Sequence, residues 1–580
     1  MLSRMDCEND ERLENNDDYV QLFLIEKSLE DQIDEDNFLM VERPKSVLIK
    51  NQILINTYKP SQINLYKDQD ISEIRSSTKP FEDPHFLPGI KKIVNNMNTD
   101  FAKILLSMFK IQNKNNSDEI NSKIKWKKPQ LICYDKRIGN YEFVLDSNGK
   151  ALSQNFTKAD YASYFSSDDI FQGILGDCFM IATILSICNN KEILLHLAPM
   201  DNAYRKNMKI GAYHFRLWKL GEWYDVVIDD FLPVDTAHNP LFARNLRFQN
   251  EFWISLLEKS IAKFLGNFEV LNGGHTENIA VLFSGGIQNV YYSELILHVT
   301  SKSPIQNNQA EYRANSLKEQ FGSIEAACPN IEELFFIIAF ALKNKNIVGC
   351  HSTLQKSNSF GVIRHHQYAV KSIHVFDKSK IVKIQNPHNY PDMIKRTKKY
   401  FEFESKLKKL GASGTYLGEF YMQFNDFVNC FDIICVFNLL PEKSVQNLPE
   451  KYPKKLKLKC NLFNQWKILH IQGRMSKKDV GAEFRVNFEI RSNIKEHILL
   501  TICQNYTTEC FLTKVKITKN GTSVGVFHSQ VYSMQQIFNL FLDSGKYKAI
   551  FIARTEIKND LDVCVRIFYS RTNENSIQFF

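Results

Sequence analysis

No apolar run in the 580-residue sequence is long enough to cross a membrane, which excludes a spanning helix at this level. The longest candidate, Leu334-Phe335-Phe336-Ile337-Ile338-Ala339-Phe340-Ala341-Leu342, is closed off by Glu333 and Lys343. A secretory leader pattern is lacking too, because the first residues are rich in Asp, Glu and Asn. Twelve cysteines occur without one Cys-x-x-Cys pair, which removes the common zinc spacing. With no mark of secretion, they are expected to be reduced thiols in a cytoplasmic protein. What is present, 44% hydrophobic and 24% charged residues, is ordinary for soluble domains, and the length is too great for one core.

Charge is distributed unevenly. The chain carries +8 overall, yet residues 1–42 hold 14 Asp and Glu against Arg4, Arg12 and Lys27. An acidic region over 1–74 is therefore expected to be disordered, with order beginning near Lys79. Lys451, Lys454, Lys455, Lys457 and Lys459 form a basic run suited to an anionic membrane surface, or simply a solvated linker. No nucleic-acid partner is expected.

The stretch Phe171-Gln172-Gly173-Ile174-Leu175-Gly176-Asp177-Cys178-Phe179 delivers a cysteine to a helix, because Met180-Ile181-Ala182-Thr183-Ile184-Leu185 continues with helical spacing. Asp177 is placed to cap it. A cysteine at a helix N-terminus meets unpaired N–H groups and the helix dipole, which favour the thiolate. By position alone, a buried core cysteine satisfies the same pattern. Downstream, Tyr213, Phe215 and Leu217 alternate into a hairpin through Gly221, and Asn250 is placed to cap a helix that Gly266 ends. A later hairpin through Tyr368-Ala369-Val370 and Ile381-Val382-Lys383-Ile384 sets His366 and Asn386 at the same open end of neighbouring strands. Asn113 to Ser122 and Ser301 to Arg313 read as polar insertions.

The cysteine segment resembles the calpain signature Gln-Gly-x-Leu-Gly-Asp-Cys-Trp, with Phe179 in place of the tryptophan. Phe81-Glu82-Asp83-Pro84-His85-Phe86, Asn250-Glu251-Phe252-Trp253, His366-Gln367-Tyr368, Gln385-Asn386-Pro387 and Gly418-Glu419-Phe420-Tyr421 are similar to further calpain segments. The resemblance covers 79–572. It implies an α+β protein: a papain-like two-part cysteine protease core over 75–300 and 301–441, followed by an antiparallel β-sandwich over 442–580. No EF-hand loop spacing follows the sandwich, so an atypical calpain form is expected. The implied roles are Cys178 as nucleophile, His366 as base, Asn386 as its orienter and Gln172 as oxyanion donor, with Gly274 and His365 at the substrate. Calcium is the implied cofactor, with Asp169 and Glu251 as one ligand pair and Glu419 and Asp392 as a poorer second pair. A capping Asp and a helix-start Glu account equally well for Asp169 and Glu251. His365 and His388 stand where the family keeps glycine and tryptophan, so His388 is expected to leave the His366 and Asn386 bond wetter. The implied function is calcium-dependent limited proteolysis of protein substrates. The alternative is a scaffold with little catalysis that binds partners or membranes.

Overall fold

The computed structural model describes residues 63–114, 116–167, 170–353, 362–376, 379–388, 418–441, 456–476, 481–504, 513–529, 533–554, 560–570 and 577–579, the pairs 48–49 and 52–53, and positions 405 and 557. Most of the acidic region, Lys451, Lys454, Lys455, and the candidate ligands Asp169 and Asp392 lie outside the described residues.

Order starts earlier than residue 79. Ile63–Asn64 pairs in parallel with Glu222–Asp229, which pairs antiparallel with Ala212–Lys219. The helix Ile71–Ser76 follows, capped by Asp70 and tied down where Arg75 bonds Asp201 at 2.6 Å, Asn202 and the Ala212 carbonyl. The supposed insertion at 113–122 contains the helix Ser117–Lys123, capped by Asn116 and braced by Glu119, which accepts from the Gln112 and Asn113 N–H groups. The polar run 301–313 likewise belongs to helices, Ser293–Ser301 and Asn308–Phe321. Composition hides Ser117–Lys123 and Asn308–Phe321 because the side-chain caps Asn116 and Asn307, not apolar periodicity, mark where they begin.

The helices Trp253–Leu265 and Thr276–Ser284 pack on the small sheet, and Cys178–Ile187 packs on Thr276–Ser284, all three burying nearly every residue. A second layer is a six-stranded antiparallel sheet in the order Ile287–Tyr292, Ile433–Asn438, Ile347–Ser352, His366–Phe376, Ser379–Gln385, Glu419–Gln423. The helices Ile331–Lys343 and Phe424–Cys430 pack against it and share its core. The C-terminal part forms two antiparallel sheets of four and five strands around a separate core that includes Phe488, Phe538 and Phe551. Gln535–Leu542 and Gly545–Ala553 alternate buried and more exposed positions, which is the period of a half-buried strand. The protein thus mixes helices with antiparallel sheets and ends in a β-sandwich-like region.

The opening segment at 81–86 owes its pattern to buried charge. Asp83 and Lys263 are fully buried and paired at 2.6 Å. Lys263 also donates to Gln69 and the Val227 carbonyl, while the Asp83 carboxylate accepts from Gln69 and the His85 N–H. One turn away Lys259 pairs with Asp229, whose other oxygen accepts the Asp83 N–H at 2.8 Å. Removing one partner strands a buried ammonium. Asp83→Ala is expected to cost about 3–5 kcal/mol, read as a lower urea midpoint with an unchanged slope, while Asp83→Asn should cost less.

Candidate active site

The helix Cys178–Ile187 and the strand His366–Phe376 pack against each other and bring the candidate residues together. Hydrogen bonds across the join include Gln172 N–H to the Pro387 carbonyl at 3.2 Å, Gln385 to the Ser167 carbonyl at 3.3 Å, Lys371 to the Leu185 carbonyl at 3.1 Å, Gln367 to the Gly274 carbonyl at 3.0 Å, and Thr276 N–H to Gln367 Oε1 at 3.2 Å. Gly274 thus lends its carbonyl to the scaffold.

His366 Nε2 lies 2.7 Å from Asn386 Oδ1, and both residues are buried. The His388 N–H also donates to that oxygen, at 3.0 Å. A backbone N–H requires an acceptor, so the Asn386 amide is oriented with oxygen toward both groups, and His366 must donate from Nε2. Its Nδ1 is then the lone-pair nitrogen. The His388 ring covers the face of His366, with centroids 4.7 Å apart and planes within 5°. The expected wetter bond is therefore not found: a stacked imidazole takes up the covering role. Phe179 is fully buried in the core.

Cys178 is only partly exposed, and its sulfur accepts from the Gln367 backbone N–H, which sets it beside the start of the His366 strand. The helix position was expected to ease ionisation. Burial instead pushes the thiol up to about 11, outweighing hydrogen bonds from the Gln367, Phe179 and Cys178 N–H groups. Asp177 makes no capping hydrogen bond, contrary to the sequence reading. Nor does Asn250 cap its helix, which begins at Trp253; Asn250 instead donates to the Asn140 carbonyl. Gln172 is buried, and Leu175 O takes one of its two amide hydrogens at 2.7 Å. His365 is exposed and holds φ at 52°, a left-handed conformation that suits the glycine it replaces.

The described candidate calcium ligands do not fit an open metal site. Glu251 is buried and accepts from the Leu145 N–H at 2.6 Å and from Asn245. Glu419 is paired with Lys383 at 2.6 Å. Among the described residues, no group of three or more His, Cys, Asp or Glu side chains is placed to hold a metal ion, and no helix is long and apolar enough to cross a membrane. Of the basic run, Lys459 is buried against Glu333 at 2.6 Å and offers no charge to a surface.

Further histidines surround the site. His351 lies in a T-shaped contact with His275, ring centroids 6.5 Å apart. Burial, with His275 and His365 nearby, holds it down to about 4; burial does the same to His366, opposed by Asn386. Both are neutral in the folded protein where an unfolded chain binds protons. Stability is therefore complete above the ordinary histidine value near 6.5 and is lost as pH falls toward about 4. Each histidine contributes a slope of about 1.4 kcal/mol per pH unit in that window. Denaturant titrations across the window should show a shallower slope for His351→Gln than for the wild type.

The family described as calpain family cysteine protease matches residues 81–438. Rat (Rattus norvegicus) Calpain-9 is 30% identical over 342 residues, which is 56% of this chain and 41% of the relative. The Calpain-2 catalytic subunit of the same species is 27% identical, covering 60% and 42%, and Calpain-A of Drosophila melanogaster is 28% identical, covering 49% and 32%. The match thus spans less than half the length of these relatives.

Proposed function

The chain belongs to the calpain family of cysteine proteases, and from that premise we propose that it is a cysteine endopeptidase making limited cuts in protein substrates through Cys178, His366 and Asn386, within a papain-like two-part core. The observation that carries the reading is the His366 to Asn386 hydrogen bond at 2.7 Å, formed at the end of the strand whose next residue donates to the Cys178 sulfur.

The chemistry follows from the protonation states. With the thiol raised and the imidazole lowered, the resting pair is neutral at physiological pH. Proton transfer from Sγ to His366 Nδ1 accompanies attack on the scissile carbonyl carbon, forming the C–S bond as the carbonyl π electrons move to oxygen. The imidazolium then returns its proton to the leaving amine as the C–N bond breaks. Water, deprotonated by the same imidazole, then adds to the thioester carbonyl; the C–S bond breaks, the carboxylic acid is released, and the imidazolium proton returns to sulfur. Asn386 keeps Nε2 protonated throughout, so Nδ1 is the nitrogen that cycles. Gln172 and the Cys178 N–H supply the oxyanion donors, the former with its second amide hydrogen. Substrate backbone lies along Gly274 and His365.

Calcium belongs to this proposal as a required condition, and no step is routed through it, because Glu251 and Glu419 are spent on internal partners. A cytoplasmic setting and contact with anionic membranes are parts of the same reading. Casein should be cleaved with calcium present and not after chelation, and Cys178→Ala should abolish cleavage. Gln172→Ala should lower kcat by roughly a hundredfold, the usual cost of about 3 kcal/mol for one oxyanion donor. Equal cleavage by wild type and Cys178→Ala would overturn the reading.

A further inference from the structure

Behind the turn that presents Cys178, two acids are buried together. Asp177 is 0% and Glu258 1% exposed. Glu258 projects from the helix Trp253–Leu265, and its Oε2 accepts the Ala243 N–H at 2.8 Å. Both Asp177 oxygens and Glu258 Oε1 find no other donor, and among the described residues neither acid forms an ion pair. The two carboxyl groups lie within hydrogen-bond reach of each other. Two carboxylates are both acceptors, so they bond only if one holds a proton; two unpaired buried anions in contact would repel each other strongly.

We propose that Asp177 and Glu258 share one proton and that this pair positions the Cys178 turn and limits the negative charge beside the thiol. The inference rests on the reading of Cys178 as the nucleophile. Ala243 fixes Glu258 Oε2, which leaves Oε1 to carry the proton and donate to Asp177. Burial raises both acids, Glu258 the further, and the Asp177 charge opposes ionisation of the neighbouring thiol. The charged and titratable groups facing the pair are Cys178 at the next position and Arg244 beside Glu258. Lys259, next along the helix, is spent on Asp229. Asp177 and Glu258 are thus positioning residues, acting through the thiol without touching substrate.

Glu258→Gln tests the proton and Asp177→Asn tests the charge. Glutamine keeps both contacts, its oxygen on Ala243 and its amide on Asp177, but carries no acid proton. Infrared spectra of the full chain at neutral pH should show a protonated carboxyl stretch that is absent from Glu258→Gln. Iodoacetamide labelling, read by mass spectrometry on the peptide bearing Cys178, should be faster in Asp177→Asn, by roughly tenfold for each unit by which the thiol pKa falls. A wild-type spectrum without the band, or a band that persists in Glu258→Gln, overturns the shared proton; this reading needs no other variant to fold. Equal labelling rates in wild type and Asp177→Asn, with matching thermal melts, overturn the effect on the thiol. Neither measurement requires a peptide to be cut, so their failure is separable from failure of casein cleavage.

Discussion

The first two residues of one strand, His366 and Gln367, hold the site together. Adjacent residues on a strand face opposite sides, so this pair reaches in two directions. His366 turns to Asn386 on the neighbouring strand, while Gln367 turns to Gly274 and Thr276 of the other body. The Gln367 backbone N–H is left for the Cys178 sulfur. Nucleophile, base and cleft wall are thus located by one dipeptide; separation of the two bodies would lose the Gln367 relations to Cys178 and to the cleft wall, and would leave the His366 to Asn386 bond, which lies within one sheet. The buried Gln172 and Gln385 contacts across the same join give the closed arrangement further support.

Much of this is legible in the sequence because the chemistry demands particular residue types at particular element ends. A cysteine opening an apolar helix, and a histidine and an asparagine at the same end of a hairpin, are local patterns, and the strand register bears out their adjacency: Ala369 lies opposite Gln385. Long-range electrostatics is not local. The segment around Asp83 shows a pattern, but nothing near it announces Lys263, 180 positions away. Glu251 shows the same limit from the other side. Its type and place suggest a cation ligand, yet its oxygens are taken by Leu145 and Asn245, which only the fold brings near. His388 looks like the loss of an aromatic cover until its ring is found stacked on His366.

The thiol is the point at which two correct principles compete. A helix N-terminus offers roughly half a unit of positive charge and is worth about 0.3–1 kcal/mol to an exposed anion. Removing a thiolate from water costs more, and here Cys178 is flanked by the buried Asp177, whose charge adds to the penalty. Desolvation therefore prevails, and the thiol rises to about 11 where the dipole alone would lower it. The same burial acts on His366 with the opposite sign, since for an imidazole the charged form is the protonated one. Low polarity thus moves both members of the pair toward neutrality, and it does so because they sit at the closed join between the two bodies. A neutral resting pair makes catalysis depend on a concerted proton transfer, which depends in turn on the orientation of His366 Nδ1. That orientation is set by the Asn386 amide, and the amide is set by the His388 backbone N–H. The chain of control therefore ends in a peptide group, which a change of side chain at position 388 leaves in place, whereas the ring that covers His366 depends on the side chain itself.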